Sequence, residues 1–245
     1  MSSVIELLKS HRSIRKFTDK VIEQELLEDL FVAGQAVATS SFLQGTTIVR
    51  ISNKDTREKL AELAGNQPYV KTAAEFMIFC ADLKRAGNYC EAYEKPFEGD
   101  FTEHFIIATV DVALMAQSLV TAAESVGLGI CYIGGIRNNP VEVSKLLELP
   151  RGVYPVFGLC LGYPDQEPEI KPRLPISVIV KEETYNEEGD GDNIKEYDER
   201  IREYYRSRTG GGHGISWTEQ VATLLSEKSR PHMKEYLEGQ GFKFK

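Results

Sequence analysis

The sequence predicts an α+β fold, a mixed α/β sheet flanked by helices, and three observations carry that prediction. β-branched apolar runs alternate along the chain with segments whose apolar residues recur at helical spacing. One run, Phe76 to Ala81, is apolar without interruption, the pattern of a strand covered on both faces. Hydrophobic residues make up 42% of the 245, with 20 glycines besides, and a chain of this length buries roughly three quarters of its extended surface, enough for a large core without disulfide or metal.

Val4 to Lys9 reads as a short amphipathic helix, and Glu23 to about Ala36 as a second, with Leu26, Leu27, Leu30, Phe31 and Val37 on one stripe. Thr46 to Ile51 is a β-branched strand. A helix follows from Asp55, a suitable N-cap, to Ala64, closed by Gly65. After the Phe76 strand, Thr102 to Val126 is the most apolar helix and stops at Gly127-Leu128-Gly129. Ile130 to Ile133 is a third strand, Val141 to Leu149 a helix with Pro140 at its start, and Val156 to Leu161 a fourth strand. Beyond Gly162 the prolines 164, 168, 172 and 175 mark an irregular arm, and Ser177 to Val180 reads as an edge strand. Two polar helices, Ile194 to Arg206 and Trp217 to Glu227, flank the glycine run 209–214. We read a single domain, residues 1–165 forming the core and 166–245 an arm with C-terminal helices too poor in apolar residues to fold alone.

Composition narrows the function. There are 29 Lys and Arg against 37 Asp and Glu, a net charge of −8, the wrong sign for a generic nucleic-acid binder. The longest apolar stretch, Phe105 to Ala123, is broken by Asp111 and Gln117, which are costly in lipid, so it reads as a core helix and no membrane partner is expected. No signal-peptide layout opens the sequence, and Cys80, Cys90, Cys131 and Cys160 form no C-x-x-C pair, which fits reduced thiols and a cytoplasmic location. Walker, nucleophile-elbow, zincin and Rossmann patterns are missing, and His11, His104, His213 and His232 lack metal-ligand spacing, so no metal is expected.

What remains is cationic. Within His11-Arg12-Ser13-Ile14-Arg15 two arginines bracket a hydroxyl and an apolar anchor, and Lys171-Pro172-Arg173 lies in a proline-stiffened arm. On an acidic protein these clusters suit one anionic ligand, although composition alone favours solvated cations paired with the many carboxylates.

From His11-Arg12-Ser13-Ile14-Arg15 onward the sequence resembles the FMN-dependent nitroreductase and flavin reductase family, in the subgroup of oxygen-insensitive NADPH nitroreductases and flavin reductase P. The matching landmarks are Thr39-Ser40-Ser41-Phe42-Leu43-Gln44, Gly65-Asn66-Gln67, residues 122–129, Tyr132-Ile133-Gly134-Gly135-Ile136-Arg137-Asn138, Phe157-Gly158-Leu159, Lys171-Pro172-Arg173-Leu174-Pro175 and Tyr204-Tyr205, in family order over nearly the whole chain. The resemblance implies an intertwined homodimer of that fold. It implies that His11, Arg12, Ser13 and Arg15 bind FMN, with Arg15 at the pyrimidine edge. Lys171 and Arg173 would hold the phosphate, and Gln67 the pyrimidine side. Tyr132, Ile133, Gly134 and Gly135 would lie along the ring, and Thr39, Ser40 and Ser41 would reach it from the second subunit.

Departures from the pattern are informative. Thr39 stands where close relatives have serine, keeping the hydroxyl and adding a methyl. NADPH-specific relatives carry arginines for the 2′-phosphate after Tyr205. Here Arg208 matches one position and His213 lies near the other, so NADPH is the expected donor, with NADH possible. Glu103 aligns with an acidic site residue of flavin reductase P. No side chain is required as a catalytic acid or base. The implied activity is ping-pong hydride transfer from NADPH through FMN to nitroaromatics, quinones or free flavin. Alternatives are a dedicated flavin reductase or oxidase yielding reduced flavin or peroxide, and a noncatalytic flavin-binding sensor.

Overall fold

Uninterrupted apolar strands need cover on both sides, and the computed structural model, which describes residues 3–99, 101–208, 214–227 and 229–245, supplies it. In chain order the elements are α1 (Val4–Lys9), α2 (Gln24–Gln35), β1 (Thr46–Arg50), α3 (Lys54–Leu63), α4 (Tyr69–Thr72), β2 (Glu75–Asp82), α5 (Lys84–Ala92), α6 (Thr102–Ser125) and β3 (Gly129–Ile133). Then come α7 (Pro140–Leu146), β4 (Val153–Gly162), α8 (Ile176–Ile179), α9 (Asp190–Arg208), α10 (Trp217–Ser226) and α11 (Met233–Gly239). Two compact units result, Met1–Glu167 with His232–Lys245, and Pro168–Pro231.

In the first unit the strands form a four-stranded sheet in the order β1-β2-β4-β3, with each of these neighbouring pairs antiparallel. Side chains alternate across β2. Met77, Phe79 and Ala81 enter a core with Leu27, Leu30, Val112, Leu119 and Tyr236, whereas Phe76, Ile78 and Cys80 enter a second core with Leu60, Val70, Ile136 and Val143. The missing alternation in the sequence of β2 is therefore two buried faces. Where Pro155 opposes Cys80 the register shifts by a bulge, which accommodates a residue that cannot donate to the ladder.

The long helix α6 packs against β2 and α2 and leaves Ile106, Val110 and Leu114, four residues apart, exposed in the chain. By length and composition it could cross a membrane; Asp111, 1% exposed within it, is instead bonded to main chain.

Two sequence expectations are corrected. Asn53, not Asp55, caps α3, its side chain accepting from Thr56 N at 3.0 Å, because the helix begins two residues earlier than its charge pattern suggested. Residues 177–180 are no edge strand: Ile176–Ile179 is a single helical turn, with Val178 N donating to Pro175 O and Val180 N to Ile176 O. Its β-branched residues favour a strand only when a neighbouring strand is available to pair with, and none is described within 168–231.

The second unit is organised by aromatic side chains on α9. Tyr197, Ile201 and Tyr204 are buried, and Trp217 meets Tyr197 edge-on at 6.1 Å, the packing role expected of a lone tryptophan. Asp198 accepts from Thr218 N at 3.1 Å, and Ser216 with Glu219 forms a capping box, fixing the start of α10.

Candidate functional site

The segment after α1 is locked into the first unit by its main chain. Ile14 N donates to Ile130 O at 2.8 Å, Asp165 N to Lys16 O at 2.9 Å, and Thr18 N to Tyr163 O at 2.9 Å, while Phe17 bridges Pro164. Gly129 allows this approach: a Cβ there would fall 2.6 Å from Ile14 Cγ1 and 2.9 Å from Pro164 Cγ. With Ile14 buried, the neighbouring polar residues point elsewhere. His11 Nδ1 lies 2.6 Å from Glu124 Oε1 near the end of α6, whose other oxygen is buried without a partner among the described residues. Arg12 reaches the exposed Glu167 at 3.3 Å, Ser13 is half-buried, and Arg15 is exposed with its guanidinium 6.0 Å from the Tyr69 ring centre.

Arg15 leads to the next group. After α3 the chain turns through left-handed Gly65 and Asn66, a conformation those two residues tolerate best, and delivers Gln67. The Gln67 amide donates to Ala64 O at 2.8 Å and accepts from the Tyr69 hydroxyl. Burial raises the Tyr69 phenol, as does the nearby Cys131, while Arg15 opposes the rise. Gly135 approaches the same turn so closely that a Cβ would lie 2.2 Å from Ala64 O, so this glycine is required by the chain's own packing. At the half-buried Gly134 such a Cβ would meet only the guanidinium of Arg137, Nη2 at 3.5 Å, in ordinary contact. Tyr132 is half-buried, T-stacked on Phe157 at 5.0 Å, and its phenol is pushed up to about 12, by burial first and by Glu124 second. Ile133 is buried in the second core and anchors this wall.

Thr39, Ser40 and Ser41 lie at a different edge. Ser41, Phe42 and Gln44 are all left-handed, with φ of 49°, 55° and 53°. The loop is held by Asp111, which accepts from Ser40 N at 3.1 Å and Gly45 N at 3.3 Å. The serines are exposed, whereas Thr39 Oγ1 is buried with no partner among the described residues. Glu103 is exposed in the first turn of α6.

In the second unit Lys171 Nζ bonds Tyr205 OH at 2.7 Å and lies 5.0 Å from its ring. Arg173 is exposed, and Tyr197 OH bonds Pro172 O between the two cations at 3.0 Å. Arg208 Nη1 bonds Tyr204 OH at 3.2 Å. His213 lies outside the described residues. The structure thus brings Arg15, Gln67, Gly134 and Gly135 to one wall, with His11 anchored beside Tyr132 through Glu124. No cluster of three metal-ligating side chains occurs among the described residues. Tyr69 and Asp111 were not singled out by sequence as site residues; Asp111 had a signal, a carboxylate inside the most apolar helix. A cleft of about 940 Å³ between α7 and α11, lined by His232, Tyr236 and Asn139, contains none of the sequence-predicted residues.

Within the first unit an exposed guanidinium, a side-chain amide and a glycine backbone line one wall, and this donor set fits the polar edge of a planar ring that carries negative charge. The model of the nitroreductase family matches residues 8–163, and that of the nitroreductase family C-terminal domain matches residues 171–245. The chain belongs to the nitroreductase family. It is 44% identical to the NADPH-flavin oxidoreductase of Vibrio harveyi over 98% of both chains. It is 43% identical to the oxygen-insensitive NADPH nitroreductase of Salmonella typhimurium over 99% of both. The structure of B. megaterium NfrA1 superposes with a TM-score of 0.95 at 46% identity, covering 99% of this chain and 100% of that one. The α+β nitroreductase fold expected from sequence is the fold observed.

Proposed function

We propose that this chain is an FMN-dependent NADPH oxidoreductase that reduces nitroaromatics, quinones or free flavin at one open site, donor and acceptor occupying the same face in turn. The observation that carries the reading is the wall formed by Arg15, Gln67 and Gly134. When bound, FMN supplies a ring that takes hydride from NADPH and passes two electrons to the acceptor. The chain's residues bind and orient. Arg15 places positive charge where negative charge develops on reduction, and Gln67 holds the pyrimidine side. Tyr132, Ile133, Gly134 and Gly135 support the ring, His11, Arg12 and Ser13 bind the cofactor beside Arg15, and Lys171 with Arg173 neutralise the phosphate. Tyr69 and Tyr132 stay neutral at physiological pH, so neither repels the anionic cofactor.

Members of the family are commonly dimers, and the exposed stripe of Ile106, Val110 and Leu114 supports a homodimer in which Thr39, Ser40 and Ser41 reach the partner subunit's flavin. The free thiols, three of them buried, suit a reducing cytoplasm. Arg208 is assigned to the donor's 2′-phosphate, with His213 near it in sequence; Glu103 lies at the mouth of α6 and has no assigned chemical step.

Absorbance of the purified protein near 450 nm with parallel NADPH and NADH turnover tests the reading. A yellow protein that consumes NADPH with FMN, menadione and nitrofurazone is expected. Bound flavin without turnover would leave a carrier, and colourless protein whose melting point ignores added FMN would remove the cofactor. Arg208→Ala is expected to raise KM for NADPH at least tenfold more than for NADH, the scale of one charge-assisted bond; equal effects on both donors would remove the 2′-phosphate role.

A further inference from the structure

We propose that Asp111 is a positioning residue for the flavin site: from inside α6 its carboxylate clamps the 39–45 loop so that Ser40 and Ser41 stand in place for the partner subunit's flavin. This rests on the reading that the loop crosses to the second subunit's site.

A carboxylate is an expensive choice for a helix whose buried neighbours are Ala108, Val112 and Ala116. Packing alone calls for an apolar side chain at this position, so the charge needs another reason. Both of its oxygens are used on the same loop, Oδ1 by Ser40 N at 3.1 Å and Oδ2 by Gly45 N at 3.3 Å. Those donors bracket the residues that most need restraint. Ser41, Phe42 and Gln44 hold φ near +50°, a region that residues with a Cβ rarely occupy and that persists only where the surroundings impose it. Gly45 is held from the other side as well, its carbonyl accepting from Asp82 N at 2.9 Å. The base of the loop is therefore pinned to α6 and to the end of β2, while its tip stands outward with Ser40 and Ser41 exposed and Phe42 80% exposed. A loop strained at its tip and clamped at its base by a buried carboxylate is arranged to present side chains to something outside its own subunit. Two bonds to a single carboxylate fix the spacing of Ser40 and Gly45 as one bond to a neutral acceptor does not.

The test uses the full-length protein with and without FMN. Asp111→Asn keeps the shape but leaves one carbonyl oxygen for two N–H donors and turns an NH₂ toward one of them. We expect hydrogen exchange at residues 39–45 to accelerate about tenfold or more, on the scale of a lost charge-assisted bond. FMN affinity, read by flavin fluorescence on titrating the apoprotein, is expected to weaken by a similar factor, with exchange in β2 and β4 unchanged. Exchange that stays slow at 39–45, or affinity that stays at the wild-type value, overturns the proposal. So does a general loss of protection across the sheet, the sign of a purely structural role. A measurement independent of the variant's folding is available in the wild-type apoprotein, where the amides of Ser40 and Gly45 must be protected; fast exchange there also overturns the clamp. Ser40→Ala/Ser41→Ala tests the underlying reading separately. Unchanged FMN affinity in that variant removes the loop from the flavin site, and the proposal with it. Weakened affinity there beside an unaffected Asp111→Asn removes the clamp alone.

Discussion

The two cationic segments assigned to one cofactor are built differently. Residues 11–15 are held by the main-chain bond of Ile14 to the Ile130 carbonyl and, through the adjoining residues 16–18, to the 163–165 segment, with the Ile14 side chain buried. Residues 171–173 are held by side chains, Lys171 on the Tyr205 hydroxyl and the Pro172 carbonyl on the hydroxyl of Tyr197. The first segment shares the stability of the sheet and can be displaced only by disturbing it. The second depends on two phenols and two prolines, so single substitutions that leave the fold intact can retune it. A cation fixed by backbone gives constant geometry, and one fixed by a neighbouring hydroxyl gives an adjustable one.

The largest effect separates charge from support. Lys171→Ala/Arg173→Ala removes the two cations proposed to hold the phosphate and is expected to weaken FMN binding by about 3–6 kcal/mol, twice the 1.5–3 kcal/mol expected of Arg15→Ala. Equilibrium dialysis of the apoproteins measures both. Wild-type affinity in the double variant would remove the second segment from the site. Next comes the support of the first segment. Gly129→Ala drives a Cβ to within 2.6 Å of Ile14 Cγ1, and overpacking of this kind costs about 1–3 kcal/mol. That corresponds to a fall of roughly 2–12 °C in Tm for a chain of this size, with FMN retention falling alongside. An unchanged Tm would show that the segment yields easily, and the contrast between the two segments would collapse.

That contrast could not be read from sequence, because composition shows cations and hides what holds them. The sheet strands were legible where hydrophobicity decided them: the unbroken run of β2 announced two buried faces, and Gly65 announced the end of α3. Helix α5 was not legible, because it buries no residue and owes its start to Asp82, whose side chain accepts from Arg85 N at 3.1 Å. Helix α11 was missed for the opposite reason: its seven residues are too few for a periodic pattern, and the burial of Tyr236 and Leu237 comes from tertiary packing. At the site, the basic motif and the glycines carried their own signal. Tyr69 did not, since its place between Arg15 and Gln67 follows from the left-handed turn that aims Gln67 and not from any spacing along the chain.

A smaller effect isolates the phenol support. Tyr205→Phe keeps the ring under Lys171 and deletes the 2.7 Å bond to its ammonium. A bond to a charged group contributes about 1.5–3 kcal/mol when both partners are fixed, and Lys171 retains its charge and its ring contact. FMN affinity is therefore expected to fall by less than in Lys171→Ala, about threefold to tenfold, with Tm nearly unchanged. A loss equal to that of Lys171→Ala would mean that the phenol itself touches the cofactor.

The smallest effect appears only in alkali, and it marks the first segment's surroundings. Tyr132 beside that segment, and Tyr154 deeper in the same unit, are each raised from 10.0 to about 12, chiefly by burial. A phenol is neutral when protonated, so a raised folded value means that the fold favours the protonated form. The stability this contributes is fully present below pH 10 and is lost as the pH climbs from about 10 to 12. Tm is therefore expected to be insensitive to these phenols between pH 7 and 9 and to decline above pH 10, in step with tyrosinate absorbance at 295 nm. Tyr132→Phe should soften that decline without altering the neutral plateau. An identical alkaline decline in the variant would show that Tyr132 ionises no later in the folded chain than in the unfolded one, and that the environment around residues 11–15 is wetter than its main-chain anchoring implies.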